Sequence, residues 1–195
     1  MNNYKVVEIF TSPQGEGLLT GVNMTFIRLY GCNLACPFCD EPLHTDKDEI
    51  DLYSENALVD VVKSTGVKWV CITGGEPSLN NINPLIVKLQ EAGVKVQVET
   101  NGYCYDNIRE ADQKTVAPKE AFIPNGQWDE IKVVIPAQLG ILHDAMSQPV
   151  DFVWVQPENY QNLVNDRNLE KCQELIKQFP QLNLSVQLHK MLGVD

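Results

Sequence analysis

Apolar positions along the chain fall into short runs that alternate with helically spaced segments. "YKVVEIF" (4–10) and "NMTFIRLY" (23–30) read as strands near the start. "VKWVCIT" (67–73) is almost continuously apolar and ends in "GGEP", the form of a strand covered on both faces in a parallel sheet. "VKVQVET" (94–100) repeats that form and ends in "NG". "EIKVVIP" (130–136), "DFVWVQP" (151–157) and "LNLSVQL" (182–188) are further strands. Helical spacing runs through "SENALVDVVKST" (54–65), with Ser54 at the N-cap. It returns in "NPLIVKLQEAG" (83–93), where Gly93 is expected to end the helix in a left-handed conformation. In "RNLEKCQELIKQF" (167–179), Leu169, Cys172, Leu175, Ile176 and Phe179 share one face, which makes Cys172 a core residue. The polar, acidic stretch 40–53 reads as a loop.

Strands alternating with helices predict an α/β fold with a mostly parallel sheet. Ligands of such sheets gather at the carboxyl ends of the strands. The polar and glycine-rich signals "TGGEP", "ETNG", "APKE" and "VQPEN" sit there. No internal repeat or linker divides the chain, so residues 1–195 are expected to form one domain.

Charge and composition narrow the function. A formal net charge of −11 repels nucleic-acid backbones, so no direct nucleic-acid substrate is expected. The start of the chain lacks the basic region and apolar run of a signal peptide, and no stretch approaches the ~18 apolar residues of a membrane span. A cytoplasmic protein with reduced thiols and no membrane partner is the expectation. Of the six cysteines, Cys71, Cys104 and Cys172 are scattered, which argues against a disulfide framework.

The other three, Cys32, Cys36 and Cys39, fall within "GCNLACPFCD" at C-x3-C-x2-C spacing. Two chemistries fit that spacing. A zinc ion could take the three thiolates with His44 as fourth ligand. A [4Fe–4S] cluster could take the same three and leave one iron open to a substrate or cofactor. Spacing alone leaves both open.

The cysteines followed by a strand-terminal "TGGEP" resemble the radical S-adenosylmethionine superfamily. The longer set "EIFTSPQGEG", "FIRLYGCNLACPFCD", "TGGEP", "VETNG", "APKE", "IKVVIP", "VQPEN" and "SVQLHKMLGVD" closely resembles the 7-carboxy-7-deazaguanine synthase family over nearly the whole chain. The resemblance implies a shortened, partial radical-enzyme (β/α) barrel with mostly parallel strands. That agrees with a length of 195 residues, below the ~250 typical of a full eight-unit barrel. It implies a lyase that contracts the ring of 6-carboxy-5,6,7,8-tetrahydropterin to 7-carboxy-7-deazaguanine with loss of ammonia, on the route to queuosine and other 7-deazapurines. It also implies a [4Fe–4S] cluster, S-adenosylmethionine, Mg²⁺, an external reductant such as a flavodoxin, and a homodimer.

Site residues follow from the same resemblance. Cys32, Cys36 and Cys39 would hold the cluster. Phe38, Asp40, Gly74, Gly75 and Glu76 would meet S-adenosylmethionine, with Glu76 and backbone groups facing its ammonium. Glu99 and Asn101 of "ETNG" would touch its ribose or methionine part, an ordinary Asn-Gly turn being the alternative. Ala117, Pro118 and Lys119, and Gln156, Pro157, Glu158 and Asn159, align with cofactor loops. Ala117 stands where the family usually has serine, so a side-chain contact is lost there. Pro13, Gln14 and Gly15, with Glu16 beside them, align with a substrate loop. Gln14 both donates and accepts, and Glu16 accepts from ring amines. Arg28 suits the substrate carboxylate, and Thr73 aligns with a substrate contact. His189 and the Asp195 carboxylate would close over the substrate. Glu41 stands where the family usually has a Mg²⁺-binding threonine. It could bind the metal directly, bind it through water, or take over its electrostatic role. No protein side chain is assigned the hydrogen abstraction, which the cofactor radical carries.

Two rivals remain at this level. One is an activating enzyme for a glycyl-radical protein, which the "QGEG" loop and late "Q.HK" argue against. The other is a zinc-stabilised binding module.

Overall fold

The computed structural model describes residues 3–39, 41, 50–119, 121–159 and 163–193. The expected strands are present as β1 (Asn3–Pro13), β2 (Asn23–Leu29), β4 (Trp69–Gly74), β5 (Lys95–Thr100), β7 (Glu130–Ile135), β8 (Phe152–Pro157) and β9 (Leu182–Leu184). Two more strands were not foreseen, β3 (Asp51–Ser54) and β6 (Gln113–Val116). All pair into one nine-stranded sheet in the order β3-β1-β2-β4-β5-β6-β7-β8-β9. The β3-β1-β2 end is antiparallel, and from β2 onward every neighbour is parallel. The sheet is open, with β3 and β9 at its edges.

Parallel strands need crossovers, and helices lie on four of them. The helix α1 (Glu55–Thr65) begins at Ser54, whose hydroxyl accepts from Ala57 N at 3.3 Å, and ends at Gly66 with φ +74°. The next, α2 (Asn83–Glu91), carries proline in its first turn and is followed by Gly93 at φ +81°, as expected. A short α3 (Leu142–Met146) and a longer α4 (Asp166–Gln178) flank β8, and α5 (Leu188–Leu192) ends the described chain. Leu58, Val62, Leu85, Ile86, Leu89 and Cys172 are fully buried against the strand residues Ile27, Val70, Ile72, Val96, Val98, Ile131 and Val155. Cys172 is thus a core residue. Burial pushes its thiol up to about 12, so it stays protonated.

Two expectations need correction. The loop expected over 40–53 gives way to β3, an edge strand on β1 that starts at Asp51. The strand expected over 182–188 stops at Leu184, and Leu188 instead starts α5.

Candidate active site

The carboxyl ends of the parallel strands open into a cleft of about 800 Å³. Two glycines shape its rim. The strand end "TGG" runs so close to β2 that a Cβ on Gly75 would sit 1.9 Å from the Gly31 carbonyl oxygen. On Gly74, at φ +116°, a Cβ would lie 2.3 Å from Leu29 N and O. Only glycine permits that approach. It is fastened by Gly75 N donating to Leu29 O (2.9 Å) and Glu76 N donating to Gly31 O (2.8 Å), immediately before Cys32.

Cys32 and Cys36 are partly buried, Cys39 is exposed, and all three line the cleft. Burial raises the Cys32 and Cys36 thiols above the ordinary cysteine value, and the Lys119 charge pulls Cys36 part of the way back. Lys119 lies 5.6 Å from the centre of the Phe38 ring. Asn101 ties the end of β5 to the cysteine loop, its amide donating to Asn33 Oδ1 at 2.9 Å.

Glu76 is buried and already engaged. Its Oε1 accepts from Ser78 N (2.8 Å) and Thr100 Oγ1 (2.5 Å), and its Oε2 accepts from Asn101 N (2.6 Å). Its first effect is therefore to bind the β4 turn to the end of β5. A carboxylate offers about four acceptor directions, so three such bonds leave one toward the cleft.

The cleft is also lined by a buried polar network. Gln14 donates to Gln97 Oε1 (2.7 Å) and Glu99 Oε1 (3.0 Å), while its own Oε1 accepts from Glu16 N (3.2 Å). The Gln14 amide is thus committed inside the protein. The Lys132 ammonium donates to Glu99 Oε2 (2.8 Å) and to Glu16 Oε2. Burial pulls Lys132 down, but the charges of Glu16 and Glu99 outweigh it and hold the group above the lysine range. Burial raises Glu99, opposed by Lys132. Gln187 donates to Glu16 Oε1 at 2.8 Å, and Leu188 N donates to Gly15 O at 3.0 Å, so the C-terminal segment rests on the "QGEG" loop. A Cβ on Gly15 would lie 2.1 Å from His189 Nδ1, which shows how close that packing is.

Arg28 sits between Glu8 Oε2 (2.7 Å) and Glu41 Oε2 (2.6 Å), with its guanidinium 4.8 Å from the centre of the Phe10 ring. Phe10 stacks on Phe26 at 4.9 Å.

The structure brings the sequence-predicted residues together with few exceptions. Pro13, Gln14, Gly15, Glu16, Arg28, Phe38, Glu41, Thr73, Gly74, Gly75, Glu76, Glu99, Asn101, Ala117, Lys119, Gln156, Pro157, Glu158, Asn159 and His189 all line the cleft with the three cysteines. Pro118 is buried and does not line it. Asp40, His44 and Asp195 lie outside the described residues. Sequence reasoning missed Lys132, Phe10 and Phe26, and it gave Gln187 no role although the "Q.HK" pattern contains it. The available signal for Lys132 was a lysine inside the strand "EIKVVIP", flanked by apolar residues and two positions after Glu130.

Known proteins resemble this chain over most of its length. The model of the Radical SAM superfamily matches residues 26–118. A 7-carboxy-7-deazaguanine synthase of Bacteroides thetaiotaomicron is 34% identical over 191 residues, covering 97% of this chain and 98% of that protein. One from Synechocystis sp. is 31% identical over 207 residues, covering 98% and 94%. The crystal structure of QueE from Escherichia coli superposes with a TM-score of 0.78 at 26% identity, covering 96% of this chain and 95% of that one.

Proposed function

The chain belongs to the 7-carboxy-7-deazaguanine synthase family of radical S-adenosylmethionine enzymes, and from that premise we propose how its cleft serves the ring contraction of 6-carboxy-5,6,7,8-tetrahydropterin to 7-carboxy-7-deazaguanine and ammonia. The observation that carries the proposal is one cleft lined both by three thiols and by a buried Glu16–Lys132–Glu99 network.

The donor set suits a cluster better than a lone ion. A zinc site would need a fourth ligand, and the candidate His44 lies outside the described residues, whereas a cubane would take three thiolates, one to each of three irons. Cys32, Cys36 and Cys39 are the proposed ligands. When bound, the cluster and S-adenosylmethionine supply the electron and the hydrogen-abstracting radical.

The remaining roles belong to this chain's own groups. The Gly74–Gly75 backbone and the remaining acceptor direction of Glu76 take the cofactor's ammonium, a cation that needs an anionic or carbonyl partner once desolvated. Phe38, backed by Lys119, offers a flat face to the adenine. Asn101, the 117–119 loop and Gln156–Asn159 offer further polar contacts, mostly through backbone at Ala117. Arg28 takes the substrate carboxylate while Glu8 and Glu41 hold the guanidinium in place. Glu16 accepts from ring N–H groups, and Glu99, which the resemblance had given to the cofactor, is instead assigned to the substrate because it shares the Lys132 ammonium with Glu16. Gln14 acts by fixing Glu99, and the backbone around it, with Thr73, borders the pterin. His189 closes the C-terminal side. Mg²⁺ would have to share the Glu41 carboxylate with Arg28.

We also take residues 1–195 as one domain, supported by the single continuous sheet. We propose a cytoplasmic homodimer reduced by a flavodoxin-like protein. No helix among the described residues is long and apolar enough to cross a membrane, which is compatible with that location.

Substrate deuterated at the carboxylated carbon tests the chemistry. The reconstituted, reduced, anaerobic enzyme should transfer deuterium into 5′-deoxyadenosine as deazapurine forms. Product without label in the cofactor fragment would refute abstraction at that carbon. Cofactor cleavage without any deazapurine would refute the activity.

A further inference from the structure

Lys132 lies on β7 in a run of apolar residues and is 4% exposed, yet its ammonium reaches the cleft. Its partners come from two other parts of the sheet, Glu16 from the loop after β1 and Glu99 from β5. Each carboxylate is also held from a second side, Glu16 Oε1 by Gln187 and Glu99 Oε1 by Gln14. Glu130, two residues away on β7, accepts instead from Thr115 Oγ1 (2.6 Å) and Leu18 N (2.8 Å).

Two carboxylates thus share one ammonium, and a surplus negative charge faces the cavity. Without that ammonium, one of them would take up a proton or turn toward water. A protonated carboxyl presents a donor where an acceptor is needed. The complement of two fixed acceptors is a flat ligand edge with neighbouring N–H donors. The 2-amino-pyrimidinone edge shared by the pterin and the deazaguanine has that form.

We propose that Lys132 is a positioning residue for substrate selection: by pairing Glu16 and Glu99 it keeps both as aimed acceptors, so that the site selects ligands bearing the 2-amino donor edge. This rests on the reading of Glu16 and Glu99 as substrate acceptors.

The test is equilibrium binding to the cluster-loaded enzyme with S-adenosylmethionine and no reductant. The two probes are 7-carboxy-7-deazaguanine and its analogue lacking the 2-amino group. Wild type should prefer the first by about tenfold or more, and Lys132→Met should reduce that preference to about twofold or less, since an acceptor left facing no donor is what discriminates. Lys132→Arg should keep the preference. A merely structural defect would weaken both ligands alike and leave the ratio intact. Should Lys132→Met not fold, the charge-balanced pair of changes Glu99→Gln with Lys132→Met is compared with Glu99→Gln alone. The preference should persist in part through Glu16 in the single variant and vanish in the double. A folded Lys132 variant with the wild-type ratio overturns the role of Lys132 while leaving the acceptor reading standing. A wild type that shows no preference overturns both.

Discussion

Arg28 carries two carboxylate contacts, and one of them is Glu41, which directly follows the Cys39-Asp40 pair. A substrate carboxylate therefore meets a guanidinium already oriented by protein, with its central carbon over the Phe10 ring. Arg28→Met should raise KM for the pterin by about tenfold or more and change cofactor cleavage without substrate much less, as expected for a charge-assisted binding contact. Equal losses in both steps would place Arg28 in a structural role. If Mg²⁺ shares the Glu41 carboxylate, Glu41→Gln should raise the half-saturating Mg²⁺ concentration by about tenfold, because the hard cation loses its anionic ligand. An unchanged Mg²⁺ titration would exclude Glu41 as its ligand. At this scale the sequence was uneven. The cysteines and Glu41 were visible because spacing and a departure from a family pattern marked them. Lys132 was not, since a lysine in a strand normally snorkels to solvent, and only tertiary placement beside Glu16 and Glu99 gives it a purpose.

Elements were legible where burial is apolar. The strands β4, β5, β7 and β8 follow from their near-continuous apolar runs, and α1 follows from its cap and spacing. The strand β6 escaped notice because "QKTV" is mostly polar, yet Gln113, Lys114 and Thr115 are all buried. Thr115 serves the polar wall by donating to Glu130, so function removed the hydrophobic signal. The edge strand β3 has only four residues, two of them exposed, and carries little pattern to read. The "TGG" turn is the opposite case, a local signal whose cause is a tertiary approach. Gly75→Ala should destabilise the fold by about 3 kcal/mol or more, through the overlap of its Cβ with Gly31 O, and should also impair cluster loading beside Cys32. Thermal unfolding and iron content check both effects. A variant that melts like wild type and loads fully would show that the rim can shift.

Across the whole molecule, an open sheet with an antiparallel end leaves its carboxyl edge accessible, and the C-terminal segment returns over it through Leu188 N and Gln187. The buried charges also give the stability a pH signature. Lys132 has a raised value in the folded state. Its contribution is therefore complete below the unfolded lysine value of about 10.4 and is lost as pH climbs toward the folded value. Glu99 is raised as well, so folding favours its protonated form, and stability declines as pH rises from about 4.3 toward its folded value. The melting temperature of wild type should fall on the alkaline side. Lys132→Arg, which stays charged in both states, should flatten that limb. Parallel alkaline limbs for the two proteins would assign the loss to other groups.

The central claim, that this cleft performs the ring contraction, is met most directly by anaerobic turnover of 6-carboxy-5,6,7,8-tetrahydropterin with deazapurine and ammonia measured together. Equal amounts of the two are expected from the iron-loaded wild type, and neither from Cys36→Ala. Iron-loaded protein that splits S-adenosylmethionine beside the pterin and releases neither product would contradict the account.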